Sequence, residues 1–170
     1  MASITFKGVT TLNLIGNEVA VGAPAPDFTL RKGLAPDSAY TLDTDAGKVR
    51  LLSVVPSLDT PVCDTQTRTF NQRAAELGNV VIVTVSLDLP TAQGRWCGAA
   101  GVDKVITASD YFDHSFGQAY GVRIEALGVL ARALFVIDGN GTLTYKQIVP
   151  ELTNEPNYDE AITAAKAAIA

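Results

Sequence analysis

Two apolar runs organise the chain: Val49 to Val55, closed by Pro56, and Val80 to Leu87, which is richer in β-branched residues. Neither alternates apolar with polar, so both are predicted as strands covered on two faces, as in a sheet flanked by helices. Between them Cys63, Phe70, Ala74 and Leu77 recur at spacings of seven, four and three, one stripe of a helix that Gly78 stops. A second helix is expected from Pro90 to Cys97, stopped by Gly98. A short strand is expected at Val105 to Thr107, and a short helix from Ser115 to Tyr120 before Gly121. Ala133 to Asp138 and Thr142 to Val149 flank Gly139-Asn140-Gly141, a hairpin signal, and the Ala-rich segment from Tyr158 onward is an amphipathic closing helix.

The first third of the chain is more broken. Leu12 to Ile15 and Glu18 to Val21 are read as arms of an N-terminal hairpin within residues 1–22, turned by Gly16-Asn17. Gly22-Ala23-Pro24-Ala25-Pro26 is an extended connector, because each proline biases its predecessor away from helix. Asp27 to Leu30 and Ala39 to Leu42 are short strands. Strand, helix, strand, helix, then hairpin and helix gives an α/β class with a mixed sheet. At 170 residues this is one domain spanning 1–170, long enough to bury roughly two-thirds of its unfolded surface.

Composition narrows the function classes. A net charge of −5 argues against a nucleic-acid binder, which needs a phosphate-neutralising face. No apolar run is long enough for a membrane span, and Met-Ala-Ser-Ile-Thr-Phe-Lys lacks the charged-then-apolar order of a signal peptide, so a cytoplasmic location is expected. Only two cysteines are present, too few for a scaffold; in a reducing compartment any bridge between them would be made and broken in use.

The chemistry concentrates in Pro56-Ser57-Leu58-Asp59-Thr60-Pro61-Val62-Cys63. Pro56 ends a buried strand, where open α/β sheets place their ligands. Thr60 suits the N-cap and Pro61 the first helical position, which puts Cys63 in the first turn, where free N–H groups and the helix dipole favour a thiolate. The same position on the stripe also suits a small, inert core cysteine. Asp64 is expected to face solvent, since adjacent helical residues point about 100° apart. Cys97, before Gly98, falls at a helix C-terminus, where the dipole disfavours a thiolate. Trp96 beside it either packs or covers apolar surface used by a partner. A zinc site would need Cys63, Cys97, His114 and a carboxylate to converge without a Cys-x-x-Cys pair. A cysteine hydrolase would need Cys63 with His114, which reads more simply as a solvated residue at a helix start. A redox-sensing binding domain would use the same two cysteines.

Pro-x-x-x-Thr-x-x-Cys, here Pro56, Thr60 and Cys63, resembles the active-site motif of peroxiredoxins. Leu87-Asp88-Leu89-Pro90-x-Ala92-Gln93-x-Arg95-Trp96-Cys97-Gly98 is similar to the resolving-cysteine segment of the bacterial thiol peroxidase branch. The likeness continues through Gln118 to Val122, Leu130 to Asp138 and Glu155 to Tyr158, with departures at flanking positions such as Asp64, Gly94 and Trp96. It implies a thioredoxin-like fold, with Cys63 as peroxidatic and Cys97 as resolving cysteine joined in an intramolecular disulfide. Thr60 would orient the peroxide, Pro56 would shield the sulfur, and Arg132 would favour the thiolate and polarise the O–O bond. It further implies hydrogen peroxide or organic hydroperoxides as substrates, thioredoxin as reductant, a homodimer, and no metal or organic cofactor.

Overall fold

The central strands form because their runs are apolar on both sides and are covered on both sides. The computed structural model describes residues 1–169. In chain order it contains β1 (Ser3–Phe6), β2 (Thr10–Ile15), β3 (Thr29–Arg31), β4 (Ala39–Thr41), β5 (Arg50–Val54), α1 (Pro61–Arg73), β6 (Val81–Ser86), α2 (Pro90–Ala100) and β7 (Ile106–Ser109). Then come α3 (Ser115–Tyr120), β8 (Arg123–Ile124), β9 (Val129–Leu130), β10 (Ala133–Ile137), β11 (Leu143–Ile148) and α4 (Tyr158–Ala167). A seven-stranded sheet runs β11-β10-β5-β6-β7-β3-β4. Its β5-β6-β7 core is parallel and its flanks are antiparallel, the mixed sheet that the element order predicts.

Residues alternate between two cores. Leu51, Ile82, Leu134 and Val136 point to one face, with Phe70 and Leu77 from the α1 region, Trp96 of α2, and Ala161 and Ile162 of α4. Leu52, Val54, Val83, Val85 and Phe135 point to the other, under Phe116 and Tyr120 of α3 and Leu12 and Leu14 of β2. Both cysteine-bearing helices therefore lie on one face of the sheet.

Two expectations are corrected. The N-terminal hairpin pairs β1 with β2, Phe6 opposite Thr10, and Glu18 to Val21 form no strand. Its turn is made by Lys7 and Gly8, both with positive φ (54° and 68°), and a lysine there gives no sequence signal. Gly16-Asn17 instead presses the chain against α3: the Asn17 amide donates to the Gln118 carbonyl at 2.7 Å, and a Cβ on Gly16 would meet that oxygen at 2.6 Å. The second helix does not stop at Gly98. It runs on to Ala100 and ends at Gly101, whose φ of 68° supplies the left-handed cap that Gly98 was expected to provide. Gly121 does close α3 as expected.

Candidate active site

The loop between β5 and α1 is held at its back before it reaches the sulfur. Asp88, just after β6, accepts from Ser57 Oγ (2.8 Å), the Leu58 amide (2.9 Å) and Ser86 Oγ (2.8 Å). Pro56 is buried and Thr60 is exposed. Thr60 occupies the N-cap position with extended backbone and Pro61 follows in the first turn, as the sequence predicts. The threonine hydroxyl does not cap the helix; it donates to the Ser57 carbonyl at 3.0 Å. Asp64 N–H donates to the Thr60 carbonyl at 2.9 Å, so Cys63 is the last residue of the turn whose amides lack helical acceptors.

Around Cys63 the structure brings together residues far apart in sequence. Arg132 Nη1 donates to Cys63 Sγ at 3.3 Å and to Gln66 Oε1 at 3.1 Å. Its Nε and Nη2 both donate to the Leu152 carbonyl, at 3.3 and 2.9 Å. Gln66 Nε2 donates to Ser53 Oγ at 2.8 Å, which fixes the amide with its oxygen toward the guanidinium. Cys63 and Gln66 are fully buried and Arg132 is 2% exposed. Among the described residues no carboxylate pairs with Arg132, so its charge meets only a carbonyl, an amide oxygen and the sulfur. Of these residues the family resemblance points to Arg132, while Gln66, Ser53 and Leu152 come from the structure. A glutamine three residues after Cys63, on the stripe that faces the core, was the available signal; a backbone carbonyl leaves none.

Cys97 sits in the last turn of α2, half-buried, with Sγ 3.9 Å from Thr107 Oγ1. Burial pushes its thiol above the usual range, opposed by the Thr107 hydroxyl. Both cysteines are free thiols. The partner of one sulfur, Arg132, immediately precedes β10, while the partner of the other lies on β7, three strands away in the sheet order. At about 4.8 Å per strand that is roughly 14 Å. The two helices are latched to each other. Trp96 Nε1 donates to Asp64 Oδ1 at 3.1 Å, and Arg68 donates to Asp64 Oδ2 at 2.8 Å and to the Ala100 carbonyl at 3.1 Å. Asp64, expected to face solvent, keeps about a third of its side chain exposed, at 34%, while the Trp96 indole N–H and the Arg68 guanidinium hold its two oxygens.

His114 does not join Cys63. It precedes α3, whose buried residues belong to the opposite core, so the hydrolase pair is not assembled. Among the described residues no three His, Cys, Asp or Glu side chains are grouped to hold a metal ion. Beside the first turn of α1 a groove of about 320 Å³ opens between Pro61, Val62 and Thr65 on one side and Thr153, Asn154 and Glu155 on the other.

Comparison with known proteins follows the same lines. Residues 20–162 match the Redoxin family model. The chain is 59% identical to a thiol peroxidase of Halalkalibacterium halodurans, covering 99% of this chain and 100% of that one. It is 53% identical to a thiol peroxidase of Bacillus subtilis, over 99% of each. Among solved structures, a peroxiredoxin-like protein from Aquifex aeolicus superposes with a TM-score of 0.89 at 40% identity, covering 98% of this chain and 97% of that one. A thiol peroxidase from Chromobacterium violaceum shares the fold, with a TM-score of 0.84 at 17% identity over 97% and 95% of the two chains.

Proposed function

Because the chain belongs to the redoxin family, in its thiol peroxidase branch, we propose that Cys63 is the sulfur with which this peroxidase attacks its substrate. The observation that carries the reading is the buried guanidinium of Arg132, 3.3 Å from Cys63 Sγ and without a carboxylate partner among the described residues. A buried charge left unpaired is costly, and of the three groups the guanidinium donates to, a carbonyl, an amide oxygen and the sulfur, the sulfur is the one that can carry a negative charge. The helix start adds its dipole in the same sense.

In the proposed cycle the Cys63 thiolate attacks the distal oxygen of hydrogen peroxide or an organic hydroperoxide. An S–O bond forms, the O–O bond breaks, and the departing oxygen takes a proton to leave as water or an alcohol. Sulfur is oxidised to a sulfenic acid and the peroxide is reduced. Arg132 stabilises charge on both the attacking sulfur and the departing oxygen. Thr60, whose hydroxyl proton is directed at Ser57, keeps lone pairs free to accept from the peroxide. Pro56, buried behind the loop, keeps water from the sulfur. The Cys97 sulfur then attacks Cys63: an S–S bond forms, the S–OH bond breaks, and hydroxide leaves as water with the proton from Cys97. A disulfide needs its Cα atoms within about 7 Å, so the first turn of α1 and the end of α2 unwind in each cycle. A thioredoxin dithiol reduces the bridge and is itself oxidised. Sulfur carries the electrons throughout, and the scheme needs no metal or organic cofactor.

The whole chain, residues 1–170, is proposed to act as one catalytic unit in a cytoplasmic homodimer. Among the described residues no helix is long and apolar enough to cross a membrane.

Cys63→Ser tests the reading directly. Peroxide consumption is expected to vanish while the melting temperature stays near that of the wild type, because a serine hydroxyl is not ionised at neutral pH. Thr60→Val is expected to keep the thiolate and slow turnover. A Cys63→Ser protein that still consumes peroxide would overturn the assignment.

A further inference from the structure

We infer that Glu151 is a positioning residue for the peroxide reaction: it fixes the Leu152 carbonyl that holds the Arg132 guanidinium against Cys63. The inference rests on the role proposed for Arg132 above.

A guanidinium on a flexible side chain is useful to a reacting sulfur only if its plane is fixed, and here one carbonyl takes two of its N–H groups. That carbonyl belongs to a segment outside any helix or strand, joined to β1 by the isolated Thr5–Glu151 bridge. Its backbone is stitched there at two points, Thr5 N–H to the Pro150 carbonyl (2.8 Å) and Leu152 N–H to the Thr5 carbonyl (2.9 Å).

The Glu151 side chain supplies the rest. Its Oε2 accepts from Thr5 Oγ1 at 2.6 Å and the Gly8 amide at 3.0 Å. Its Oε1 accepts from the Lys7 amide at 3.0 Å, Thr153 Oγ1 at 2.6 Å and the Thr153 amide at 3.1 Å. No cation pairs with it among the described residues. The Thr153 and Thr5 hydroxyls lead the effects that hold the carboxyl down at about 2, so the clamp keeps its charge at any pH where the enzyme would work.

The hairpin turn is shaped for this contact. Lys7 adopts a left-handed conformation that is uncommon for a residue with a side chain, and in it the Lys7 and Gly8 amides both point at the one carboxylate. Glu151 thus grips the hairpin on one side and Thr153 on the other, with Leu152 between them. The same strand of chain continues to Asn154 and Glu155, which wall the groove opposite Pro61 and Val62. The N-terminal hairpin in this way reaches the chemistry through the Thr5 backbone and the Glu151 side chain.

The test uses the full chain with Cys97→Ser, so that one reaction with hydrogen peroxide is read by stopped flow. Glu151→Gln keeps the size but turns an NH2 group toward donors. It is expected to slow the reaction about tenfold and lower the thiolate absorbance at neutral pH, at temperatures well below melting. Gly8→Ala strains the positive φ without a steric conflict, since no atom lies within 4 Å of the added Cβ, and is expected to slow it about threefold. It carries the test if Glu151→Gln folds poorly. Adding Glu151→Gln to Arg132→Met should cost nothing beyond Arg132→Met alone. A slow Arg132→Met beside wild-type rates in both Glu151→Gln and Gly8→Ala would overturn this inference, as would additive losses in the double variant. A wild-type rate in Arg132→Met would instead overturn the role of the arginine on which it rests.

Discussion

Cys63 and Cys97 lie on one face of the same sheet, at opposite ends of their helices, and are held in opposite ways. Cys63 is sealed in the first turn of α1, against a buried cation that is held by the Leu152 carbonyl and the Gln66 amide oxygen. Cys97 is half-buried in the last turn of α2, with one long contact to Thr107 and its thiol pushed toward the protonated form by burial. A helix dipole favours negative charge at the first place and disfavours it at the second. The contrast is the one the two proposed roles call for: one sulfur is fixed where charge is compensated, the other is half-buried and held by one long contact.

Exchanging either sulfur for oxygen should separate those parts most sharply. Cys97→Ser leaves the Arg132 clasp intact, so a single reaction with peroxide is expected at a near-normal rate. Thioredoxin-coupled turnover is expected to collapse, and excess peroxide should add two oxygens to Cys63, seen by intact mass. Full coupled turnover in this variant would remove Cys97 from the mechanism.

Most of the comparison was legible in the sequence because it depends on local rules. Pro61 after Thr60 announces a helix start, and the apolar runs at β5 and β6 announce the central strands beyond whose carboxyl ends that helix begins. What stayed hidden depends on contacts between distant segments. The end of α2 was misplaced at Gly98 because a glycine within a helix looks like a stop, and only the left-handed Gly101 marks the end. The hairpin was misplaced because Lys7 takes a conformation that its side chain does not advertise. Leu152 contributes through a carbonyl, for which no residue type is a signal. Gln66 could have been noticed as a polar residue on a buried stripe, but its meaning required Arg132 beside it.

The pH dependence of the second step sharpens the contrast further. Since burial raises the Cys97 thiol, the protonated form is favoured at neutral pH, and a step that needs its thiolate quickens as pH rises. Disulfide formation is therefore expected to accelerate from pH 6 to 8. The linkage to stability has the matching sign: a raised thiol stabilises the fold below its unfolded value, and that contribution is lost as pH rises through the folded value. A flat rate from pH 6 to 8 would show that deprotonation of Cys97 does not limit the step.

A smaller effect is expected at the latch between the helices. Asp64→Ala removes the acceptor of the Trp96 indole and the partner of Arg68, a loss of about 1 kcal/mol that should speed disulfide formation ~5-fold by easing the opening. Trp96 is the single tryptophan of the chain, so its fluorescence reports the opening directly. A slower disulfide step in Asp64→Ala would mean that the latch aids resolution instead of restraining it.

The division of labour between the two sulfurs is tested most directly by intact mass and a non-reducing gel after adding one equivalent of hydrogen peroxide to the reduced wild type. The account predicts a chain lighter by two hydrogens that migrates as a monomer, with Cys63 and Cys97 recovered in one cross-linked peptide pair. A covalent dimer would place the partner of Cys63 in another subunit, and a chain heavier by one oxygen with Cys97 still free would contradict the account.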